Sequence, residues 1–215
     1  MNNKVFRNLS YGLYAATTLD DNRPTGCIIN SVVQITSSPA TIALSMNHDN
    51  YTNSCIKKSG VFATSILSEQ SDPSIIGQLG FQSGKDIDKL NGIPQMTRSG
   101  LPIISDSCGF IVCKIINQME TSTHTVFLGE VIDGDLLKDS PPMTYSYYHN
   151  VIKGKSPKNA PTYLPEEDTP AVSNKPKHIC SVCKYVYDQP TAFDTLPDSY
   201  KCPICGAAKE RFYTE

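Results

Sequence analysis

Several features that define large classes of proteins are missing from this sequence. It contains no tryptophan, so its 11 tyrosines must supply most of the large aromatic surface. No apolar run approaches the ~20 residues that span a bilayer, and the opening MNNKVFRNLS has no signal-peptide core. The formal net charge of −2 provides no basic surface for nucleic acid. We therefore expect a soluble, cytoplasmic protein with no membrane or nucleic-acid partner.

Nucleotide-binding motifs are missing as well. Neither the Rossmann pattern GxGxxG nor the P-loop pattern GxxxxGK followed by Ser or Thr occurs in the 215 residues. A dedicated dinucleotide-binding fold is therefore not expected. Hydrophobic residues make up 39% of the chain and charged residues 19%, so the chain can bury an ordinary core.

The eight cysteines are unevenly distributed. Four of them form two CxxC pairs, in ICSVCK (179–184) and KCPICG (201–206), whereas the others are scattered through apolar segments. A reducing compartment with one metal site and four free thiols fits this distribution better than a secreted disulfide framework does. The scattered thiols are Cys27, Cys55, Cys108 and Cys113.

The first 150 residues predict a mainly β fold. Segments rich in β-branched or aromatic residues alternate with turn signals such as DDNRP and SSP. The segments 108–118 and 123–133 flank the polar METS and predict a long hairpin, and YSYYH at 145–149 predicts a strand face. Six or more strands indicate a β-barrel with short peripheral helices. The earlier predicted strands lie within 11–19, 25–37, 41–46 and 61–67.

Three short helices are predicted around this barrel. Asn50 is a candidate N-cap for a helix over 51–59 that ends at Gly60. Asp72 and Pro73 have the residue types typical of an N-cap and a first helical position. A third helix is predicted over 84–90, ending at the dipeptide NG.

A change in composition after residue 148 predicts a second domain. Residues 150–176 carry five prolines, and the part from 164 to 176 reads as a solvated linker. A tether of that length has an end-to-end distance of roughly 20 Å. The predicted organisation is therefore a first domain at 1–163, a linker at 164–176 and a small domain at 177–215.

The two CxxC pairs predict one metal site formed by Cys180, Cys183, Cys202 and Cys205. A CxxC turn delivers two sulfurs and points backbone amides at them. A redox disulfide would explain one pair but not two. Zinc and iron both accept four thiolates, so spacing leaves the metal open. Five aromatic residues in the tail would form an apolar shell of the kind that tunes a redox metal: Tyr185, Tyr187, Phe193, Tyr200 and Phe212.

The tail resembles the rubredoxin family over essentially its whole length. CSVCKYVYD is similar to the family's CxxCGYxYD, and TAFDTLPDSYKCPICGAAKERF to its TxFxxLPxxWxCPxCGxxKxxF. The resemblance implies one iron, held by the four cysteines, that cycles between Fe(III) and Fe(II). Lys184 stands where the family usually has a glycine of positive φ, so that turn is expected to be strained. Tyr200 replaces the usual Trp, and the loop after Tyr187 is shorter.

Polar residues in the first domain are candidates for a ligand site. The segment from 30 to 50 supplies Asn, Ser and Gln side chains and ends where a helix is predicted to start, which is a ready anion site. FQSGKD (81–86) supplies Ser83, Gly84 and Lys85 before another predicted helix. The spacing is equally compatible with turn and cap residues of no functional role.

The run from 26 to 67 resembles the flavin-reductase-like, FMN-binding split-barrel family. LGFQSGKDIDKL is similar to its FGxxSGxDxDKF, and THTVFLGEV to its DHxxFxGEV. The resemblance covers roughly 1–163 and implies FMN at a homodimer interface, with the ring against the backbone of 30–32 and the phosphate near Thr52, Ser83 and Lys85. The implied FMN-binding residues are Asn30, Ser31, Val32, Gln34, Ser45, Met46, Asn47, Asn50, Tyr51, Thr52, Ser83, Gly84 and Lys85.

One histidine is a candidate for an active-site role. His124 lies on a predicted strand, where a lone histidine is usually structural. In the family the matching histidine lies near the exposed face of the flavin, which implies contact with nicotinamide. Cys27 lies beside the implied flavin segment, where a small apolar space-filler is the simpler interpretation than a catalytic thiol.

The two resemblances together imply an oxidoreductase. It would take electrons from NAD(P)H, pass them through FMN to the Fe(Cys)4 centre and deliver them to a redox partner such as a flavodiiron protein. A second interpretation is a non-enzymatic carrier whose two cofactors are reduced by a separate reductase. A third is a zinc-ribbon binding module on a flavin barrel, although the tail carries no evident phosphate-binding face.

Overall fold

The computed structural model describes residues 3–85, 87–152, 177–189 and 191–214. The linker predicted at 164–176, and residues 153–163 before it, fall outside these ranges. Among the residues that the structure describes, no helix has the length and apolar character needed to cross a membrane.

Strands dominate the described chain, which confirms the mainly β prediction. The N-terminal part carries β1 (Tyr14–Asp20), β2 (Arg23–Ile29), β3 (Val32–Ser37), β4 (Ala40–Asn47), β5 (Val61–Ile66), β6 (Gln95–Arg98), β7 (Leu101–Ile104), β8 (Gly109–Glu120) and β9 (His124–Leu136). The tail carries β10 (His178–Cys180) and β11 (Phe212–Thr214). The α-helices are α1 (Tyr51–Ser59), α2 (Pro73–Gly80) and α3 (Tyr145–Asn150), and 3-10 turns span Asn3–Asn8, Phe193–Thr195 and Lys209–Arg211.

Seven strands form one antiparallel sheet in the order β2-β1-β5-β8-β9-β4-β3. Its two edge strands follow each other directly in the chain, because β2 ends at Ile29 and β3 begins at Val32. Flat strands spaced about 4.8 Å apart would separate these edges by about 29 Å. The three steps from Ile29 to Val32 cover at most about 11 Å. The sheet must therefore curl until its edges meet at Asn30 and Ser31.

This connection corrects one predicted strand. The segment 25–37 was predicted as continuous, but it divides at Asn30 and Ser31 into β2 and β3. The two halves pair with different neighbours, β1 and β4. The neighbouring strand β4 holds this break in place, since the Ser45 amide donates to the Ser31 carbonyl at 3.0 Å.

The caps of α1 and α2 are as predicted. The Asn50 side chain accepts a hydrogen bond from the Thr52 amide at 3.2 Å, and Gly60 ends α1 in the left-handed conformation with a φ of 71°. The Asp72 side chain accepts from the Ser74 amide at 2.9 Å, and Pro73 is the first residue of α2. Local chemistry therefore sets both helix starts.

Two other local predictions are wrong. No helix forms in the described part of 84–90, because side chains bind the nearby backbone instead. Ser83 Oγ accepts from the Lys85 amide at 3.2 Å, and Asp88 Oδ1 accepts from the Leu90 amide at 3.0 Å. The predicted strand at 145–149 is helix α3, since Thr144 Oγ1 caps it by accepting from the Tyr147 amide at 3.1 Å.

Three apolar clusters hold the first domain together, and the smallest lies around Ile103 and Phe110. One fills the curled sheet beneath α1 and contains Phe62 and Phe127 with Ile56 from the helix, each 0% exposed. Another packs α2 and α3 on the sheet through Ile76 and Tyr148. The four scattered thiols are buried, with exposures of 2% for Cys27 and Cys55, 7% for Cys108 and 0% for Cys113. Burial raises the pKa of the Cys27, Cys55 and Cys113 thiols, the last to about 12.

Candidate metal centre and flavin site

The four predicted ligand cysteines converge on one point. All four sulfurs lie within 4.8 Å of one another, with Cys180 Sγ 3.6 Å from Cys205 Sγ and Cys183 Sγ 3.5 Å from Cys202 Sγ. Sulfurs bound at about 2.3 Å around a tetrahedral ion would be about 3.8 Å apart. Three of the residues are buried and Cys205 is half-buried. The donor set fits one tetrahedral thiolate-bound metal ion.

Two similar turns deliver these sulfurs. The Lys184 amide donates to the Cys180 carbonyl, and the Gly206 amide donates to the Cys202 carbonyl, both at 2.9 Å. Backbone amides also reach the sulfurs, with that of Tyr185 on Cys183 and that of Ile204 on Cys202. Amide donors of this kind stabilise thiolate over thiol and support metal binding.

The expected aromatic shell surrounds the site. Tyr185 is 4% exposed and belongs to the same buried cluster as the ligand cysteines. Phe193 lies 4.9 Å from Phe212 and 5.2 Å from Tyr187 between ring centroids. The strand pair β10-β11 closes the tail by pairing Cys180 with Phe212. Tyr185, Tyr187 and Phe212 therefore pack against the ligand cysteines, and Phe193 extends this aromatic cluster.

The predicted flavin segments meet at the start of α1. Tyr51 Oη donates to Asp20 Oδ2 at 2.7 Å, and Arg23 Nη2 donates to the same oxygen at 3.0 Å. Arg23 also donates to the Gly84 carbonyl at 2.9 Å, so the loop of Ser83 to Lys85 lies beside α1. A side chain at Gly84 would lie 3.4 Å from the Tyr51 ring.

The β2–β3 connection brings further predicted residues to this region. Asn30 is 6% exposed, and its Oδ1 accepts from Ser31 Oγ at 3.0 Å. The buried Cys27 thiol donates to Met46 Sδ at 3.9 Å, and the nearby Thr52 and Asn50 side chains oppose the rise that burial causes in its pKa. The end of β2 therefore lies beside the helix start.

The remaining predicted residues lie in several different environments. Val32 and Ser45 flank the connection on neighbouring strands. Met46 is 1% exposed, so its side chain fills the core, and Asn47 Oδ1 accepts from the Asp49 amide at 2.8 Å. Gln34 lies apart on the exposed edge strand, where its Nε2 donates to the Thr36 carbonyl at 3.2 Å.

Lys89 is a candidate residue that sequence reasoning missed. It is 2% exposed, and its ammonium donates to the Leu79 carbonyl at 2.6 Å. Burial lowers its pKa, although the Cys27 sulfur nearby opposes that shift. A side chain at Gly84 would lie 3.4 Å from Lys89 Cδ and within 2.6 Å of Thr25 Oγ1. The sequence signal for a buried lysine is its position in IDKL (87–90), a segment with an apolar residue at each end.

Thr25 carries a buried hydroxyl that is relevant to ligand binding. Its Oγ1 is buried and has no hydrogen-bond partner among the described residues. A buried hydroxyl without a partner is costly, so a hydrogen bond from a bound ligand would stabilise it. The close packing of Gly84 against this hydroxyl and the Lys89 side chain places both polar residues beside the loop of Ser83 to Lys85.

His124 is the first residue of β9 and lies opposite Asn47 in the sheet. Its Nδ1 lies 2.8 Å from Thr123 Oγ1, whereas its Nε2 is buried and lacks a partner among the described residues. Burial lowers its pKa, and the neighbouring His48 adds to the shift. This shift favours the neutral ring at pH 7, with Nε2 as a buried nitrogen that has no partner among the described residues.

Two family models match separate parts of the chain. Residues 6–154 match the family model described as flavin reductase like domain, and residues 178–213 match the rubrerythrin, rubredoxin-like domain. The chain is 39% identical to a high molecular weight rubredoxin of Moorella thermoacetica over 99% of both chains. It is 36% identical to a ferric-chelate reductase (NAD(P)H) of Archaeoglobus fulgidus, over 76% of this chain and 98% of that protein.

The fold of the first domain also has solved counterparts. An NADH:FAD oxidoreductase of Streptomyces globisporus superposes with a TM-score of 0.61 at 22% identity, over 65% of this chain and 83% of its own. At that identity the likeness concerns the fold alone. It confirms the predicted barrel of the flavin-reductase type.

Proposed function

The chain belongs to the flavin reductase-like family and carries a rubredoxin-like domain behind it, and we propose from this that it passes electrons from NAD(P)H through bound FMN to an Fe(Cys)4 centre. The observation that carries the proposal is a complete four-sulfur cluster joined, in one chain, to a flavin reductase fold. The names of the two relatives, a rubredoxin and a ferric-chelate reductase, are those of redox proteins. The chain is accordingly an oxidoreductase.

The proposed flavin site lies where β2, α1 and the loop of Ser83 to Lys85 meet. The FMN phosphate would be held by Thr52, Ser83 and Lys85, with Thr25 Oγ1 and the Lys89 side chain beside the same loop. The ring would lie against the backbone of 30–32. Bound FMN would supply the conversion of a two-electron hydride into single electrons.

The proposed metal is iron. Thiolates accept zinc as well, but the aromatic cluster around the sulfurs is of the kind that restricts solvent and tunes a redox potential. Bound iron would supply one-electron chemistry between its ferric and ferrous states. The cysteines orient the ion, and their amide donors favour the thiolate form.

His124 is proposed to contact the nicotinamide. Its neutral ring and its buried, unpartnered Nε2 support this role. The chain carries no nucleotide-binding motif, so single side chains near the flavin would have to bind the NAD(P)H. A neutral imidazole N–H can donate to a carboxamide oxygen without adding charge.

A homodimer is proposed as the working form. Five apolar side chains on β3, β8 and β9 are each between 51% and 58% exposed. These strands belong to one sheet, and clustered exposed apolar groups mark interaction surfaces. A second copy of the chain would cover them: Val33, Ile35, Ile116, Met119 and Ile132.

The final acceptor is proposed to be a separate protein. Among the described residues, the four cysteines form the one group of clustered metal-ligand side chains, so a second metal site for reducing oxygen is not evident there. A flavodiiron protein that reduces oxygen or nitric oxide would supply that site. The proposed carrier would then deliver electrons to it one at a time.

An absorption spectrum before and after anaerobic addition of NADH or NADPH tests the proposal. We expect flavin bands overlaid with ferric–thiolate bands, with both bleached by one of the two nucleotides. The Cys183→Ser variant should keep the flavin bands and lose the iron bands. Zinc in place of iron would overturn the metal assignment. Bleaching by dithionite but not by either nucleotide would favour a carrier that a separate reductase supplies.

A further inference from the structure

The metal-binding tail lies directly against one helix of the first domain. At Gly77 of α2, an added Cβ would overlap the Cβ and Cα of Cys205 and lie 3.2 Å from its carbonyl carbon. At Gly206, an added Cβ would lie 3.4 Å from Ser74 Cβ, on the same helix. The helix therefore meets the Cys202–Cys205 turn backbone to backbone. This approach is open to glycine and closed to any larger residue at 77.

Apolar side chains continue the contact on both sides. Phe81 and Ile152 each pack against the cluster of α2 and α3 and also against the cluster that contains the ligand cysteines. Tyr148 is 2% exposed in the first of these clusters. The contact thus joins two cores.

The ligand cysteine that contacts α2 is the most accessible of the four. Cys205 is half-buried, whereas Cys180, Cys183 and Cys202 are fully buried. An electron that enters or leaves the metal therefore has its shortest exposed route through Cys205. That route leads to α2.

The same helix leads to the proposed flavin site. A Cβ at Gly80 would lie 3.6 Å from Ile28, and Ile28 precedes the connection at Asn30 by two residues. Three residues of helix advance about 4.5 Å and two residues of strand about 7 Å. With the contacts at each end, Cys205 and the backbone of Asn30 lie within roughly 20 Å. Phe81 to Lys85 continue from α2 into the proposed phosphate loop.

We propose that the α2 surface formed by Ser74, Gly77 and Phe81 is the docking site at which the tail receives electrons from the flavin through Cys205. The proposal rests on the proposed function. One electron leaves the reduced flavin for one ferric centre, which becomes ferrous, and no covalent bond forms or breaks. NAD(P)H supplies two electrons per hydride, so two ferric centres are reduced per nucleotide. The flavin protons are released to solvent.

The test compares two alanine substitutions in the same helix. Gly77→Ala would displace Cys205, whereas Gly80→Ala would place its methyl group at ordinary contact distance from Ile28. Both changes favour helix formation, so neither is expected to unfold α2. In stopped-flow absorption of the full chain, we expect Gly77→Ala to slow iron reduction about tenfold or more, because overpacking weakens the docked state. Reduction of the flavin by nucleotide should be unchanged, and Gly80→Ala should match the wild type.

A second measurement on the same variants does not depend on electron transfer. Hydrogen–deuterium exchange of the full chain should show faster exchange in peptides covering 73–81 and 202–207 for Gly77→Ala, but not for Gly80→Ala. Ser74→Glu, which adds negative charge beside Gly206, should change both measurements in the same direction. Wild-type rates and wild-type protection in Gly77→Ala would overturn the docking site. If nucleotide bleaches neither chromophore in the wild type, the proposed function fails, while the exchange data still decide the docking site.

Discussion

Lys184 and Gly206 hold the same left-handed backbone conformation at equivalent places after the two pairs of ligand cysteines. Their φ angles are 61° and 67°. Each donates its amide to the carbonyl of the first cysteine in its pair. Glycine adopts this conformation freely, whereas a residue with a Cβ does so at a cost. The sequence-based expectation of strain at Lys184 is confirmed by its positive φ.

The Lys184→Gly variant should therefore stabilise the tail. We expect a gain of about 1 kcal/mol, reduced by loss of the contact between the Lys184 ammonium and the Tyr213 ring. Guanidinium unfolding followed by the ferric–thiolate absorption measures it. The reciprocal variant, Gly206→Ala, should lower stability. An unchanged midpoint in both would mean that the turns relax without cost.

Lys89→Met should separate flavin binding from folding. We expect the dissociation constant for FMN to rise about 10- to 100-fold, because a charge-assisted hydrogen bond is lost. Stability of the flavin-free protein should stay the same or increase, since a buried ammonium is costly in the absence of an anion. Flavin fluorescence titration and thermal unfolding give the two values. Lys58→Met is the control, because Lys58 is 59% exposed and pairs with Asp21. Equal FMN affinity in both variants would exclude Lys89 from the site.

His124 should make stability depend on pH. Its folded pKa is lowered below 6.5 by burial and by His48, so the unfolded chain binds the proton more tightly. The contribution of His124 is therefore fully present above its unfolded pKa and is lost as the pH falls through the folded pKa. Unfolding free energies measured between about pH 5 and 8 should fall toward acid, and less steeply in His124→Gln. A parallel decline in both proteins would contradict this account, and His178→Gln in the tail serves as the control.

The proposed dimer should depend on its exposed strands. Replacing Ile35 and Ile132 by lysine would bury two charges at the interface, and each should raise the dimer dissociation constant at least about tenfold. Sedimentation equilibrium measures the change. Val151→Lys, at a residue 59% exposed outside these strands, should leave it unaffected. A wild-type protein that sediments as a monomer would contradict the proposed homodimer.

Local chemistry explains which parts of the structure the sequence could predict. The metal site follows from two four-residue turns, and α1 and α2 follow from caps within two residues of their starts. The break at Asn30 and Ser31 has no Gly or Pro to mark it. It arises because β2 and β3 pair with different strands. The helix at 145–150 was missed because its tyrosines read as strand residues, although Thr144 was available to cap it.

Candidate-site residues were predictable where a motif or a family resemblance indicated them. Lys89 was missed because its contacts, with the Leu79 carbonyl and with Gly84, are not indicated by its local sequence. Gln34 stays a prediction: it lies on the edge strand β3, where its Nε2 donates to the Thr36 carbonyl. The contact of Gly77 with Cys205 joins two predicted domains, and no local pattern encodes it.

The burial of the four thiols outside the metal centre affects how the protein meets oxidants and alkylating reagents. Cys27, Cys55, Cys108 and Cys113 are all at most 7% exposed, and thiol reactivity requires both access and the deprotonated form. Peroxide formed near a reduced flavin would find no accessible thiol among them. Iodoacetamide added to the folded, metal-free chain would mark Cys205 alone, because Cys180, Cys183 and Cys202 are at most 2% exposed. The number of labels per chain would then report directly how many molecules had lost their metal.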